Sequence, residues 1–308
     1  MEKRKDKLSI VLPAYNEEKN ISLAAETFRR IFEMAPFEYE LVFVNDGSKD
    51  RTWNEIKKAR ATNINIKGIC FSRNFGKEAA INAGLKFSAG DAVVVMDCDL
   101  QHPPEIVLDM YSLWLKGYDI VAGVKADRGK ESKFRKFAAN VFYKIVSDVS
   151  GIDMKNSSDF KLMSRKVVDI LVSMTEQNGF FRALSSWVGF NTITIDFEVQ
   201  DRQNGSSKWS LKSLVKYAIT NITSFTTLPL QLVTASGGIT FFLALILGAH
   251  TLFQYFTGKA VEGFTTVILL ILFIGSLLMI SLGIIGYYLS KIYEEVKQRP
   301  RYIISQII

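Results

Sequence analysis

The sequence predicts an α/β domain with a mainly parallel sheet, followed by two membrane-spanning helices. Between Leu8 and about Val124, short apolar runs alternate with stretches whose apolar residues recur at three and four positions, the pattern of strands joined by helices. Acidic residues follow three of these strands. From Leu228 to Leu289 the chain has only two charged residues, which indicates a separate apolar region at the membrane.

The composition is that of a protein with a substantial core. The chain has 308 residues, 48% of them hydrophobic, and a formal net charge of +7, which suffices for one large or two small domains. Cys70 and Cys98 are too few for a disulfide framework or a zinc site, so we expect reduced, structural thiols. The N-terminal stretch lacks the apolar core of a signal peptide, so we expect the domain in the cytoplasm. No nucleic acid partner is expected.

Five strands are predicted in the first part of the chain, and helical segments such as "EEKNISLAAETFRRIFEMA" lie between them. The strands are "LSIVLPA", "YELVFVND", "IKGICFS", "AVVVMD" and "DIVAGV". In parallel sheets of this kind, ligands bind at the carboxyl ends of the strands. Glu17 follows the first strand, Asp46 follows the second, and Asp97 and Asp99 follow the fourth. The topology therefore predicts a site built from these acids.

The pair Asp97 and Asp99 suggests a metal site. On a regular strand, neighbouring side chains point to opposite faces of the sheet. If the strand ends at Asp97, the turn that follows can bring the carboxylates of Asp97 and Asp99 toward one point. Hard oxygen ligands favour Mg²⁺ or Mn²⁺, and magnesium typically takes one or two carboxylates together with substrate phosphates. The alternative is a turn that leads into a helix at Pro103 and Pro104, without a metal.

Two apolar spans are predicted, Leu230 to Phe256 and Phe264 to Leu289, each longer than the about 20 residues that a bilayer requires. The connection "TGKAVEG" is short, so the hairpin returns the chain to the side it left. Basic residues flank the hairpin on that side, which places it in the cytoplasm. We therefore expect a multi-pass protein of the cytoplasmic membrane with the domain and both termini in the cytoplasm. The alternative is a pair of buried core helices in a soluble protein.

The segment before the spans is amphipathic. In "KWSLKSLVKYAITNITSF" the lysines Lys208, Lys212 and Lys216 fall largely on one side and the apolar residues on the other, as in a helix that lies in the headgroup layer. The predicted organisation is therefore an α/β domain at 1–207, an interfacial helix at 208–228, a two-span hairpin at 229–289 and a basic cytoplasmic tail at 290–308.

Six motifs in a fixed order carry a resemblance that covers essentially the whole chain. They are "IVLPAYNEEKNI", "VNDGSKDRT", "RNFGKEAAINAG", "MDCDLQHPPE", "SDFKLMSR" and "RQNGSSKWS". Together with the two spans, they resemble the family 2 glycosyltransferases that charge a polyprenyl phosphate with one sugar, the group of dolichol-phosphate mannose synthase and the GtrB-like enzymes. The resemblance implies a GT-A domain, which is a Rossmann-like α/β fold, a nucleotide-sugar donor, a divalent metal and an inverting transfer.

The resemblance also implies which residues bind the donor. Nucleotide-sugar contacts are expected from Pro13, Tyr15, Glu17, Asp46, Lys77 and Asp97. Within this set Glu17 is expected near the ribose and Asp46 at the base, while a solvated lysine at a helix start is the alternative for Lys77. Asp97, Asp99 and Gln101 match the metal and diphosphate motif, so Mg²⁺ or Mn²⁺ is the expected cofactor. His102 is given a structural role.

For the acceptor, Asp159 in "SDFKLMSR" matches the proposed catalytic base of the family. A phosphate monoester has a second pKa near about 6 and needs little deprotonation, so Asp159 acting as an orienting group or a metal ligand stays open. The expected catalytic residues are Asp99, Asp159 and Arg202. The expected contacts to the acceptor phosphate are Lys125, Arg128, Arg202, Ser207 and Lys208. General binding of anionic lipid headgroups is the alternative for Arg202 and Lys208.

The resulting hypothesis is the transfer of one sugar to undecaprenyl phosphate at the cytoplasmic membrane face. UDP-glucose is the favoured donor, with UDP-N-acetylglucosamine and GDP-mannose as alternatives. A processive synthase is disfavoured because Gln177, Arg182 and Trp187 do not have the spacing of its QxxRW motif. A non-catalytic, lipid-binding membrane scaffold is the alternative of another class. The oligomeric state stays open, although the resemblance implies a homo-oligomer, a tetramer.

Overall fold

The structure is a computed structural model that describes residues 5–125, 158–174, 176, 180–198, 228–257 and 263–308. The chain divides into two compact units. One unit comprises residues 1–211 together with 300–308, and the other comprises residues 212–299. The first contains the predicted α/β domain, and the second contains the two long apolar helices.

An eight-stranded sheet forms the centre of the first unit. Its strands are β1 (Lys7–Ala14), β2 (Glu38–Asn45), β3 (Ile66–Phe71), β4 (Ala92–Val95), β5 (Ile120–Lys125), β6 (Lys161–Ser164), β7 (Thr192–Phe197) and β8 (Ile304–Ile307). Their order is β7-β5-β6-β4-β1-β2-β3-β8. The pairs β1–β2, β1–β4, β2–β3 and β5–β7 are parallel, and the pairs that involve β6 or β8 are antiparallel. The five predicted strands and the mainly parallel sheet are confirmed.

Helices connect the strands and bury their apolar faces against the sheet. Those of the first unit are α1 (Ile21–Phe32), α2 (Thr52–Thr62), α3 (Lys77–Phe87), α4 (Ile106–Leu115), α5 (Arg165–Ser173) and α6 (Phe181–Trp187). In α1, the buried residues Ile21, Ala24, Ala25, Phe28 and Phe32 recur at a spacing of three and four, so they form one face of the helix. This face packs on the strands through a core that includes Ile10 and Phe43.

Strand β6 decides which side chains meet at the carboxyl edge of the sheet. It lies between β4 and β5 and runs antiparallel to both, with Lys161 opposite Val95. The residues just before β6 therefore lie beside the residues that follow β4. This places Asp159 at the same edge as Asp97, an arrangement that the sequence did not predict because no strand was assigned to "KLMS".

Strand β8 comes from the C-terminal end of the chain and covers the edge of β3. Ile307 lies opposite Ile69, and the Ser72 N–H donates to the Ile303 carbonyl at 3.0 Å. A Cβ at Gly68 would come within 2.8 Å of side-chain atoms of Ile308, so the terminal residue packs closely on the sheet. Pairing satisfies backbone groups that a free edge would leave exposed.

The segment 290–308, predicted as one basic tail, is therefore divided in the structure. Its first part continues the second long helix as far as Val296, and residues 304–307 join the sheet. Residues 300–308 belong to the same unit as residues 1–211. The apolar, β-branched ending "YIISQII" carries a strand signal that the sequence analysis did not use.

The second unit contains α7 (Leu228–Phe256) and α8 (Phe264–Val296). Helix α7 has 29 residues, none of them Asp, Glu, Lys or Arg, and α8 has 33 residues with charges only from Lys291 onward. Leu230–His250 and Phe273–Val296 are long and apolar enough to cross a membrane. Large apolar side chains along both helices are exposed, among them Phe242, Ile246 and Met279. The predicted interfacial helix at 208–228 lies outside the described residues, apart from Leu228 itself.

We expect deletion of residues 304–308 to loosen the edge of the sheet at β3. Removing β8 frees the backbone groups of β3 and exposes apolar surface under Ile308, so amides of Ile66–Phe71 should exchange at least about tenfold faster, which corresponds to about 1.4 kcal/mol. Hydrogen exchange measured by mass spectrometry on the full-length protein checks this.

Two comparisons control this experiment. Peptides that cover β5 should keep their exchange rates in the deletion variant. Trp53→Phe removes only the hydrogen bond from the indole Nε1 to Gln306 Oε1, 2.7 Å long, and should change β3 exchange much less. Unchanged exchange of β3 in the deletion variant would contradict the pairing.

Candidate active site

The turn after β4 carries the three predicted metal ligands, Asp97, Asp99 and Gln101. Leu100 has a φ of 57°, and the Gln101 N–H donates to Asp99 Oδ1 at 3.1 Å. Between the aspartates, Cys98 is buried and free. Burial, together with the charges of Glu17, Asp97 and Asp99, raises the pKa of the Cys98 thiol well above its ordinary value. The structure thus brings Glu17 close to this turn, and Cys98 fills space in it.

Asp159 is held by two cations. Arg182 donates from Nε to Asp159 Oδ1 at 2.6 Å and from Nη2 to Oδ2 at 2.9 Å, the bidentate geometry that suits a carboxylate. Lys77 Nζ donates to Oδ2 at 3.0 Å. Burial raises the pKa of Asp159, but Lys77 and Arg182 outweigh it and hold the pKa well below its ordinary value. The side chain is therefore an ionised carboxylate throughout the neutral pH range.

Lys77, the first residue of α3, pairs with one acid after β4 and one acid before β6. Its Nζ lies 2.6 Å from Asp97 Oδ1 and 3.0 Å from Asp159 Oδ2. Burial lowers the pKa of Lys77, but the two carboxylates more than compensate and raise it above the ordinary lysine value. The side chain is a paired cation between the strand-end acids, which differs from the solvated helix-start lysine that the sequence left as an alternative.

Helix α6, which carries Arg182, is fixed by two further polar side chains. Glu78 Oε2 accepts the Phe181 N–H at 2.9 Å. Lys161, buried on β6, donates to Ser185 Oγ at 2.6 Å. Burial lowers the pKa of Lys161 to about 8, and burial raises the pKa of Glu78 to about 7.

Sequence reasoning missed Arg182, Glu78 and Lys161 as site residues. A signal was present for two of them, because Lys161 interrupts the apolar stretch "FKLMS" and Arg182 stands within the apolar run "FFRAL". Charged residues in such positions are rarely buried unless they are paired. The pattern could not identify the partner, because the partner of Arg182 lies 23 residues earlier in the chain.

Asp46 has a structural role that the sequence did not predict. Its carboxylate accepts the N–H of Phe75 at 2.6 Å, the N–H of Gly76 at 2.9 Å and Asn74 Nδ2 at 2.9 Å. Burial raises the pKa of Asp46 above its ordinary value, although the hydrogen bonds from the N–H groups of Phe75 and Gly76 act to lower it. The side chain thus anchors the loop that leads into α3 and Lys77. A contact from Asp46 to a base stays a prediction.

The other predicted nucleoside residues lie on the loop after β1. The Asn16 N–H donates to Ser48 Oγ at 2.9 Å, and the Glu17 N–H donates to Thr52 Oγ1 at 2.9 Å, so this loop is tied to the loop after β2. Glu17 Oε2 accepts Asn20 Nδ2 at 2.6 Å. Tyr15 is 38% exposed, and Pro13 is partly buried in β1. Their role in nucleoside binding stays a prediction.

The residues of the Asp97–Asp99 turn fit a divalent cation. Two carboxylates and the amide oxygen of Gln101 are hard donors, which Mg²⁺ and Mn²⁺ prefer. Within the described part of the chain, no three His, Cys, Asp or Glu side chains group into a complete metal site. In proteins, magnesium is commonly held by one or two carboxylates together with substrate phosphates. His102 is buried beside it and stacks on Phe160 at 4.8 Å, which agrees with a structural role.

Of the predicted acceptor-phosphate residues, only Lys125 lies within the described part of the chain. Lys125 is exposed at the carboxyl end of β5, on the same edge of the sheet as the Asp97–Asp99 turn. Arg128, Arg202, Ser207 and Lys208 lie outside the described residues. The acceptor-phosphate site therefore stays a prediction.

Comparison with known protein families identifies the family of the chain. The family model "Glycosyl transferase family 2" matches residues 9–171, which include most of β1, the strands β2 to β6 and the cluster of Lys77, Asp97 and Asp159. The chain belongs to glycosyltransferase family 2. Membership confirms the resemblance that the motifs carry, and it makes the chain an inverting glycosyltransferase with a GT-A fold.

Relatives in this family match nearly the whole chain. The prophage bactoprenol glucosyl transferase homolog of Escherichia coli K12 is 37% identical over 98% of this chain and 99% of its own length. The bactoprenol glucosyl transferase of Shigella phage SfII is 37% identical, covering 97% and 98%. The putative glycosyltransferase CsbB of Bacillus subtilis is 39% identical, covering 97% and 91%.

A solved structure supports the fold. Glucosyl-3-phosphoglycerate synthase from Mycobacterium tuberculosis, crystallised with Mn²⁺, UDP-glucose and phosphoglyceric acid, aligns with a TM-score of 0.50 and 18% identity. The alignment covers 71% of this chain and 79% of that chain. The family 2 glycosyltransferase described here therefore shares the GT-A architecture of that enzyme.

We expect Glu78→Gln to change the pH dependence of stability. The pKa of Glu78 is raised to about 7, so its contribution to stability is fully present below the unfolded value near about 4.3 and is lost as the pH rises through 7. Glutamine keeps an acceptor for the Phe181 N–H and does not ionise. Relative to wild type, the variant should therefore gain on the order of 2 kcal/mol between pH 5 and pH 8.

Thermal melting of the detergent-solubilised protein at pH 5, 6, 7 and 8 measures this difference. Glu26→Gln, at an exposed pair on α1, is the matched control and should show no growing difference over this range. A constant offset between Glu78→Gln and wild type would contradict the raised pKa.

Proposed function

We propose that this family 2 glycosyltransferase transfers glucose from UDP-glucose to undecaprenyl phosphate at the cytoplasmic face of a membrane. The observation that carries the proposal is the cluster of Lys77, Asp97, Asp159 and Arg182 at the carboxyl edge of the sheet, in a chain that continues into two apolar helices. Relatives that match 97–98% of the chain are named bactoprenol glucosyl transferases, which supports both the sugar and the lipid.

The residues that lie near the Asp97–Asp99 turn are the proposed donor-binding residues. Glu17 lies close to this turn, and the loop anchored by Asp46 leads to Lys77. Asp97, Asp99 and Gln101 would hold Mg²⁺ or Mn²⁺, which when bound neutralises charge on the nucleotide diphosphate. These residues and the nucleoside contacts of Pro13 and Tyr15 form the proposed donor side.

The acceptor needs no strong base. Its phosphate is largely a dianion at neutral pH because its second pKa lies near about 6. Asp159, whose pKa is held well below the ordinary value, is a poor proton acceptor, since an efficient base has a pKa near the operating pH. We therefore assign Asp159 a positioning role: it fixes the guanidinium of Arg182 and the ammonium of Lys77.

The reaction is then a single in-line displacement. An oxygen of the acceptor phosphate forms a bond to the anomeric carbon of glucose, the bond from that carbon to the UDP oxygen breaks, and UDP leaves with the electron pair. The configuration inverts, and no proton has to move. The protein contributes orientation and cationic surroundings for two anionic reactants.

The connectivity of the chain supports the proposed topology. Residues 300–308 join the same compact unit as residues 1–211, so both ends of the helical hairpin lead into the α/β unit. A hairpin of two spans satisfies this only if both ends emerge on one side of the membrane. Basic flanks favour the cytoplasm. The proposed acceptor contacts are Lys125, Arg128, Arg202, Ser207 and Lys208, and the proposed assembly is a homotetramer.

The experiment that tests the function is a donor panel. The purified full-length protein is incubated with short-chain polyprenyl phosphate, Mn²⁺ or Mg²⁺ and one of UDP-glucose, UDP-N-acetylglucosamine or GDP-mannose, and the lipid product is identified by mass. We expect a lipid heavier by one hexose with UDP-glucose. Transfer only from another donor would overturn the choice of sugar, and no transfer from any donor would favour a lipid-binding scaffold.

We expect Asp159→Asn to lower kcat by at least about 100-fold without weakening UDP binding. The change removes the charge that pairs with Arg182 and leaves Lys77 with Asp97 as its carboxylate partner, so the guanidinium loses its orientation, and misplaced electrostatic groups cost about this factor. The residual pH–rate profile separates positioning from base catalysis. It should keep the shape set by the acceptor phosphate, with an apparent pKa near about 6.

Asp169→Asn is the matched control for this measurement. Asp169 forms an exposed pair with Arg165 on α5, and its replacement should leave kcat within about twofold. If Asp159→Asn abolished an ionisation that wild type shows, the base assignment would be restored. If the variant were fully active, neither role would stand.

A further inference from the structure

Lys77 stands in an unusual electrostatic position. It is the first residue of α3, and the amino end of a helix carries partial positive charge that disfavours a cation. Two carboxylates stabilise the ammonium at this position: Asp97 Oδ1 lies 2.6 Å from Lys77 Nζ, and Asp159 Oδ2 lies 3.0 Å from it. Lys77 therefore acts as the counter-ion of two acids, one after β4 and one before β6.

One of these acids has a second use. Asp97 is a ligand of the divalent cation in the proposed function, on which this inference rests. Its Oδ1 accepts the Lys77 ammonium at 2.6 Å, and a cation that bound the same carboxylate would be only a few ångströms from that ammonium. Two like charges at such a distance repel strongly even where solvent reaches them.

We propose that Lys77 and a divalent cation compete for Asp97, so that metal binding moves the lysine away from this carboxylate. Without the metal, the Lys77 ammonium balances the charge of the acids. When the metal binds Asp97, the ammonium moves away from this carboxylate. Lysine suits this task because it is a compact charge on a flexible stem, whereas arginine binds carboxylates through a rigid fork.

The surroundings allow the movement. The Lys77 side chain is 40% exposed, so it has space to reorient. Asp159 would not lose its charge partner, because Arg182 holds both of its carboxylate oxygens. Lys77 can thus leave Asp97 while Asp159 stays paired. The ammonium is then available to an anionic group, such as a nucleotide diphosphate, that arrives with the metal.

The competition is tested by Mn²⁺ binding without donor or acceptor. The full-length protein in detergent is titrated with Mn²⁺, and free Mn²⁺ is measured by its electron paramagnetic resonance signal. Lys77→Met removes the competing charge, so it should bind Mn²⁺ about tenfold more tightly than wild type. Lys77→Arg keeps a cation that also binds carboxylates, so this variant should bind Mn²⁺ no more tightly than wild type.

Two further variants locate the effect. Lys86→Met removes an exposed lysine from the last turn of the same helix and should leave Mn²⁺ affinity unchanged, which controls for net charge. Asp97→Asn should weaken Mn²⁺ binding by at least about tenfold, since it removes a charged ligand. Lys77→Gln, a second neutral variant, should repeat the result of Lys77→Met if the methionine variant folds poorly.

The outcomes separate this inference from the proposed function. Equal or weaker Mn²⁺ binding by both neutral Lys77 variants would overturn the competition, as would unchanged binding by Asp97→Asn. Neither measurement uses a sugar or a lipid. If the donor panel gave no product while neutral Lys77 variants still bound Mn²⁺ more tightly, the competition would stand and the proposed reaction would fall.

Discussion

The antiparallel placement of β6 between β4 and β5 is the constraint on which the site depends. In a purely parallel arrangement, the residue before a strand lies at the edge opposite the ligand site. Because β6 runs the other way, Asp159 reaches the carboxyl edge of the sheet, where Lys77 can pair with it and with Asp97. The reversed direction of β6 thus brings Asp159 next to Asp97 and Lys77.

Charge balance then determines what each group can do. A buried carboxylate is costly unless cations and hydrogen-bond donors surround it, and Asp159 has both Arg182 and Lys77. The same pairing that makes its burial possible lowers its pKa, so it cannot also be an efficient base. The burial of Asp159 and the positioning role proposed for it therefore follow from one arrangement, and the proposed reaction needs no base because its acceptor is an anion.

The α/β unit and the helical hairpin are linked twice along the chain. The chain leaves the unit before residue 212 and returns to it at residue 300, where β8 pairs with β3. The return covers a sheet edge that would otherwise expose backbone groups.

Periodicity and strand-end acids in the sequence determined the strands β1 to β5, the edge of the sheet where the site lies and the two apolar spans. These signals are local, since each depends on residues a few positions apart. Tertiary structure alone decided the partners: Arg182 for Asp159, the bridge through Lys77, the loop anchored by Asp46, and β8 beside β3. Such pairings join residues far apart in the chain, and short strands such as "KLMS" carry too few residues for a pattern to reveal their direction.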